Sequence, residues 1–310
     1  MSMTQSVLIC DQVNPVLNEI LEKNGLQITY EPEITPEQIL EKIENFEVVI
    51  VRSRTKITKD MIEKATKCQI IARVGVGLDN IDQTAAKEKN IRVINAVEGA
   101  MNAVAELVIG LMLSLAREIP RADREVRNGN WIKKELMGSE LRGKYLGIVG
   151  LGNIGKRLGR LARALNMNII GYDVVPIDEE FSSEVGLMKA DLGTLLASSD
   201  YVSLHVPLLD STKHLINAEK MSTMKNTSRI INTSRGGVID EDALYEFLKD
   251  GKLGGAALDV FEVEPATSNN LATLPNFIST PHMGAQTKEA QSLAANVIAE
   301  KIIQILRGVT

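Results

Sequence analysis

A chain of 310 residues, 44% hydrophobic and 24% charged, is long enough for two domains with sizeable cores and has the composition of a soluble globular protein. A formal net charge of −5 gives no general attraction to nucleic acid or anionic membrane, and the two cysteines, Cys10 and Cys68, stand in no metal-like spacing. No basic stretch leads into an apolar run at the N-terminus, and the apolar runs are short and interrupted. The expectations are a cytoplasmic protein with buried, reduced thiols, no bound metal, no nucleic-acid partner and no membrane span. Aromatic residues make up only 4%, so the core must rest on Ile, Leu, Val, Ala and Met.

In chain order, short apolar runs at Ser6–Cys10, Val48–Val51, Ile70–Val74 and Arg92–Asn95 read as strands. Helix-period stretches at Pro15–Asn24, Pro36–Glu44, Thr58–Ala65 and Ile81–Glu88 separate them. Thr35 before Pro36 and Thr58 before Lys59-Asp60 are placed as helix N-caps. Met101–Arg117 is apolar with little interruption and predicts a helix buried on most sides, ended or kinked by Pro120. A second strand series follows at Tyr201–Val206, Arg229–Thr233, Ala256–Val260 and Phe277–Ser279, before a long helical pattern over Thr287–Leu306. The alternation predicts the α/β class with two parallel-sheet units.

The second unit opens on a strand that runs into Gly150-Leu151-Gly152-Asn153-Ile154-Gly155, then a helix, then an apolar run ending on Asp173. Gly150 permits the tight turn, Gly152 lets the backbone approach a pyrophosphate, and Gly155 lets helix and strand pack closely. The helix N-terminus offers unpaired N–H groups to the phosphates. Asp173, 18 residues beyond Gly155, is at the spacing of the acid that binds the adenosine ribose. Strand, glycines, helix, strand and acid in that order predict a dinucleotide site.

Arg235 in NTSRGG, Glu264 in DVFEVEP and His282 in PHMGA each follow a predicted strand. In an open parallel sheet such positions line the ligand-binding edge. Hydride transfer at a carbinol carbon requires a proton to move on or off the oxygen. A histidine does this near neutral pH, a carboxylate orients and charges it, and an arginine fork holds a substrate carboxylate.

VGVGLDNID, GLGNIG…YD, NTSRGG, GAALDVFEVEP and PHMGAQT together resemble the D-isomer-specific 2-hydroxyacid dehydrogenases over nearly the whole chain. The VRSRT stretch at Val51–Thr55, Asn130-Trp131…Met137-Gly138 and VPLLDST are similar to the phosphoglycerate branch of that family. The resemblance implies two Rossmann-like or flavodoxin-like parallel-sheet domains with the active site in the cleft between them. One is a discontinuous substrate domain (1–97 plus 285–310) and the other an NAD domain (98–284). It implies Arg235 on the substrate carboxylate and carbonyl, His282 as acid/base, and Glu264 orienting it. Asn153, Ile154, Asp173, Val206, Thr233, Asp259, Gly284 and Ala285 join the fingerprint glycines at NAD. Backbone amides of Val74, Gly75, Val76 and Gly77 cradle the substrate carboxylate. Arg52 is assigned to a substrate phosphate, against the alternative of a solvated strand end. Lys133 reads equally as a second phosphate contact or as part of an exposed charge cluster.

The family also implies a homodimer or dimer of dimers, assembled through the cofactor domain. Ala100 departs from relatives that carry asparagine near the substrate. The chain stops at Thr310, straight after the final helical pattern, so no C-terminal serine-binding domain is expected. The expected reaction is NAD-dependent oxidation of a small, phosphorylated 2-hydroxy acid, 3-phospho-D-glycerate. The alternatives are a glyoxylate or hydroxypyruvate reductase, and, from another class, an NAD(H)-sensing corepressor-like binding protein. Asp173 predicts NAD over NADP, because its carboxylate repels a 2′-phosphate.

Overall fold

The computed structural model describes residues 5–308. They divide into two compact units, one running to Met101 and resuming at Ala285, the other spanning Asn102–Gly284.

The first unit alternates β1 (Ser6–Ile9), α1 (Val16–Lys23), β2 (Gln27–Tyr30), α2 (Pro36–Lys42), β3 (Val48–Val51), α3 (Lys59–Lys64), β4 (Ile70–Arg73), α4 (Gln83–Glu88) and β5 (Arg92–Asn95). All pairings are parallel, in the order β2-β1-β3-β4-β5. This is the flavodoxin-like order, whose switch point lies between β1 and β3. Side chains alternate across the sheet as the period of two requires. Leu8, Val49, Val51 and Ile71 pack on Ile39, Ile43, Met61 and Ile62 on one face. Val7, Ile9, Val48, Ile50 and Ile70 pack on Leu17, Leu21 and on Ile298 and Ile302 of the final helix on the other. Both faces are covered, which is why these strands read as continuous apolar runs.

Strand β2 escaped the sequence reading. QITY has two polar members and lies on the sheet edge, part-exposed, so no apolar run marks it. Thr35 caps α2 with a full capping box, its hydroxyl accepting from Gln38 N and the Gln38 side chain accepting from Thr35 N. Thr58 has the extended backbone of a cap before α3 but makes no capping hydrogen bond.

The second unit contains most of α5 (Val97–Arg117), then α6 (Ile119–Arg127), β6 (Tyr145–Val149), α7 (Asn153–Ala164), β7 (Asn168–Tyr172), α8 (Glu179–Val185) and β8 (Met188–Lys189). It continues through α9 (Leu192–Ser198), β9 (Tyr201–Leu204), α10 (Ala218–Ser222), β10 (Arg229–Asn232), α11 (Glu241–Lys249), β11 (Gly255–Leu258) and β12 (Phe277–Ser279). Helix α12 (Lys288–Leu306) belongs to the first unit. The sheet order is β12-β11-β10-β9-β6-β7-β8, again all parallel. Counted within the unit this is the Rossmann order with one further strand, and its switch point falls between β6 and β9.

Helix α5 is not buried on most sides. It is long and apolar enough to cross a membrane, yet half of that apolar stretch is buried within the protein. Asn102, Glu106, Gly110, Leu113 and Arg117 form an exposed stripe at helical spacing, while Val108, Leu111, Met112 and Leu115 enter the core. Apolar density along the segment hid the fact that its few polar residues share one face. The break after α5 comes at Glu118, which adopts a left-handed backbone (φ 50°), and Pro120 lies in the first turn of α6.

Cys10 and Cys68 are buried, and burial pushes both thiols up to about 12. A thiol reagent at neutral pH should therefore leave the native protein unlabelled over times that label both cysteines in denaturant. Prompt labelling of the native protein would show that the sheet of the first unit opens.

Candidate active site

The glycine loop after β6 shows why two of its glycines are required and leaves the third open. Gly150 has φ 94°, and a Cβ there would lie 2.5 Å from the carbonyl oxygen of His205 on the neighbouring strand's exit. At Gly155 a Cβ would lie 2.1 Å from the Gly150 carbonyl oxygen, so the helix can approach its own strand only without a side chain. Gly152 faces open space, as a backbone surface for a ligand must. Asn153 and Ile154 begin α7, a helix of 12 residues whose first N–H groups point out of the loop. Asp173 ends β7 and accepts from the amide of Leu151 at 2.6 Å and from Val175 N at 3.1 Å. The acid is thereby tied to the glycine loop.

Val206 leaves β9 beside Gly150, at the switch point. Thr233 follows β10, and its hydroxyl is buried with no hydrogen-bond partner among the described residues. A buried orphan hydroxyl, an open glycine backbone and a fixed carboxylate on one sheet edge fit a dinucleotide.

His205 is not an acid/base candidate. Its Nε2 meets the Ser203 hydroxyl at 2.9 Å, and burial pushes its pKa down to about 4, so it is neutral across the physiological range.

The Arg235 turn is built by Asn232, which is buried at the end of β10. Its Oδ1 accepts from the amide and hydroxyl of Ser234 at 3.0 and 2.7 Å, and its Nδ2 donates to the Arg235 carbonyl at 2.8 Å. Gly236 then runs so close to the next loop that a Cβ would lie 1.8 Å from the Phe261 carbonyl oxygen. The arginine turn and the glutamate loop are consequently packed backbone to backbone. Within the latter, Glu264 Oε1 accepts from Phe261 N at 3.1 Å, and Glu264 Oε2 meets His282 Nδ1 at 2.8 Å. The carboxylate fixes the Nδ1–H tautomer, so a neutral His282 has its lone pair on Nε2. No described residue hydrogen-bonds that nitrogen.

His282 is held in a left-handed backbone (φ 52°). The anchor is Asp259, buried at the exit of β11. Its Oδ1 accepts from Thr280 Oγ1 at 2.6 Å and Met283 N at 2.8 Å, and its Oδ2 accepts from Gly284 N at 2.8 Å. In this structure Asp259 shapes the histidine loop, in addition to any role toward NAD.

In the first unit, Arg52 leaves β3 at the switch point. Its amide donates to Asp11 Oδ2 at 2.5 Å and its Nη1 to the Gln12 carbonyl at 3.1 Å, both just beyond β1. It lines a pocket with Asn14, Val74, Gly75, Ala100 and Gln291, to which Ala285 also contributes. Arg54 does something else. It pairs with Asp11 at 3.0 Å and donates to the carbonyls of Cys10, Pro32 and Ile34 at 2.5, 2.7 and 3.1 Å. Arg54 is a structural clamp, whereas Arg52 faces a cavity.

The proposed amide cradle narrows. Val74 N donates to Val51 O and Gly75 N to Arg73 O, each at 2.9 Å, so the amides of Val76 and Gly77 are the ones without an acceptor among the described residues. Lys133 lies exposed in a short 3-10 turn beside Lys134, its carbonyl accepting from Leu136 N at 3.4 Å and its side chain joined to no described residue by an ion pair or hydrogen bond. Asn14, Gln291, Asn232 and Asp11 were missed from sequence. Asn232 and Asn14 gave a local signal, each as an Asx residue whose side chain accepts from the amide two residues on.

The family model for the NAD-binding domain of D-isomer specific 2-hydroxyacid dehydrogenases matches residues 109–284. The chain is similar to a D-3-phosphoglycerate dehydrogenase of Methanocaldococcus jannaschii, with 47% identity over 97% of this chain and 57% of that protein. It is also similar to a hydroxypyruvate reductase of Thermotoga maritima, with 46% identity over 93% of each. A glyoxylate reductase from Paecilomyes thermophila has a similar structure, with a TM-score of 0.90 at 29% identity, covering 97% of this chain and 95% of that one. The chain thus spans a little over half the length of the phosphoglycerate dehydrogenase it matches. Fold, sheet edge and sequence agree: the chain belongs to the D-isomer specific 2-hydroxyacid dehydrogenase family and carries that family's NAD-binding domain.

Proposed function

We propose that this protein oxidises 3-phospho-D-glycerate to 3-phosphohydroxypyruvate with NAD, and runs the reverse reduction when the keto acid is supplied. NAD, when bound, supplies the two-electron hydride acceptor. Neutral His282 takes the C2 hydroxyl proton on Nε2, and the imidazolium returns it in reduction. Glu264 holds Nδ1–H and stabilises the charged ring. Arg235 holds the substrate carboxylate and polarises the C2 oxygen with its guanidinium fork. The amides of Val76 and Gly77 take the carboxylate as well, and Arg52 takes the phosphate.

The observation that carries the phosphate is the contrast between two arginines two residues apart. Arg54 is consumed by Asp11 and three carbonyls, while Arg52 lines a pocket at the switch point of its sheet. A second reading, reduction of unphosphorylated hydroxypyruvate, is favoured by the Thermotoga maritima relative, which matches along nearly its full length. The two share every residue of the proton-transfer chemistry and differ only in what Arg52 meets.

NADH formation with 3-phospho-D-glycerate, measured beside NADH consumption with hydroxypyruvate and glyoxylate, separates them. The expected result is a kcat/KM at least tenfold higher for the phosphorylated pair. Activity confined to the unphosphorylated acids would make hydroxypyruvate reduction the function.

Replacing His282 with alanine removes the proton carrier and should cost at least ~100-fold in kcat, with NADH affinity retained, as general acid–base catalysis is worth that much. Unchanged turnover would remove His282 from the mechanism.

Arg52→Ala should raise KM for the phosphorylated substrate by about 10- to 100-fold, the worth of a charged hydrogen-bonding group. KM for hydroxypyruvate should move far less. Equal effects on both substrates would mean that Arg52 supports the loop and binds no phosphate.

A further inference from the structure

Glu264 stands on a surface loop, and something must hold that loop still. Phe261 N is fixed by Glu264 itself. The next amide, Glu262 N, donates to Glu241 Oε1 at 2.6 Å. The other oxygen of the same carboxylate accepts from Asn269 Nδ2 at 2.7 Å, at the far end of the loop. In return, Glu262 Oε1 accepts from Glu241 N at 3.3 Å and meets His214 Nε2 at 3.0 Å. One carboxylate on the first residue of α11 thereby spans the segment from Glu262 to Asn269 that contains Glu264.

The arrangement carries an electrostatic cost. Burial and the neighbouring Glu262 and Asp242 push the Glu241 carboxyl above its usual range, while His214 Nε2 meets the Glu262 carboxylate at 3.0 Å. Helix capping does not account for it, because Asp240 already caps α11 by accepting from Ala243 N at 3.0 Å. What the carboxylate does alone is accept from both ends of the loop at once. A neutral amide could not, since it has one acceptor oxygen and its NH2 would face the second donor.

We infer that Glu241 is a positioning residue for the Glu264–His282 pair: by tying Glu262 and Asn269 together it keeps Glu264 within hydrogen-bonding distance of His282 Nδ1. This rests on the reading of Glu264 and His282 as the acid/base pair, so the test needs one readout with turnover and one without.

The variants are Glu241→Gln and the double variant Glu241→Gln/Asn269→Asp. The introduced glutamine can satisfy only one of the two donors. When an aspartate replaces Asn269 opposite it, the glutamine oxygen accepts from Glu262 N and its NH2 donates to the new carboxylate, so both ties return with one bond reversed. That carboxylate still has an oxygen for Leu271 N, which Asn269 holds at 2.9 Å. Glu241→Gln also removes a charge beside Glu262, so the single variant is expected to fold. It should lose about tenfold in kcat, the equivalent of one charged hydrogen bond left unmade, while KM for the acid stays within about twofold. The double variant should recover most of that kcat.

Nitrogen-15 NMR of the imidazoles gives the readout without turnover. The hydrogen-bonded Nδ1–H signal of His282, assigned by its loss in His282→Ala, should weaken in Glu241→Gln and return in the double variant. Unchanged kcat and an unchanged signal in the single variant would overturn the inference. So would a kcat loss that the double variant does not repair, or one that follows folded fraction alone. A wild-type protein inactive on every acid, but with the signal lost and restored as described, would uphold Glu241 and overturn the dehydrogenase reading instead.

Discussion

In a sheet whose strands all run the same way, every strand leaves at one edge, and the sites of both units follow from that constraint. Gly150, Asp173, Val206, Thr233, Asp259 and Thr280 are the exits of β6, β7, β9, β10, β11 and β12 in the second unit. Asp11, Arg52 and Val74 are the corresponding exits of β1, β3 and β4 in the first. Beyond each exit the ladder of sheet hydrogen bonds ends, and the residues there either restore a partner or offer one to a ligand. Asp11, Asn232 and Asp259 restore partners: each is buried, and each uses its side chain to satisfy the amides of the loop that follows or lies beside it. Arg52, Arg235 and His282 stand on loops that these three residues have shaped.

This division explains what could be read from sequence. The glycine fingerprint was legible because Gly150 and Gly155 each answer a contact that a Cβ would violate by more than the neighbours could yield, while Gly152 leaves its backbone open. The buried strands were legible because parallel strands covered on both faces must be apolar throughout. Strand β2 and the two-residue β8 were not, since edge position relaxes that demand. The Arg–Glu–His set was legible through its place after strands. The groups that fix it were not. Glu241 and Asp11 act on backbone amides far away in sequence, 44 residues in the case of Asp11 and Thr55, and Asn269 donates to the Glu241 carboxylate from 28 residues away. No periodicity or local motif records such a pairing.

The segment Val51–Thr55 makes the same point at the scale of two residues. Arg52 and Arg54 have the same chemistry, and sequence alone gives no reason to separate them. The carboxylate of Asp11 does so. It takes the amides of Arg52 and Thr55, the hydroxyl of Thr55 and the guanidinium of Arg54, and Asn80 closes the turn by donating to the carbonyls of Arg52 and Thr55 at 2.7 and 2.6 Å. A nearly buried carboxylate needs a cation to offset its desolvation, and Arg54 meets that need. The positive charge of Arg52 is therefore not required for folding, which is what leaves it available to an anionic ligand.

A related balance governs His282. A left-handed backbone at a residue with a β-carbon costs on the order of 1–3 kcal/mol. It persists only where the surroundings determine it more than once. Here they do: Asp259 accepts from three groups in the stretch Thr280–Gly284, and charge-assisted bonds of this kind contribute about 1.5–3 kcal/mol each. The sum exceeds the strain, so the loop has no cheaper conformation to relax into. The imidazole is then fixed from two sides, its backbone by Asp259 and its Nδ1 by Glu264. Proton transfer at Nε2 requires that fixed aim, because a freely rotating ring would offer its lone pair to the reacting oxygen only part of the time.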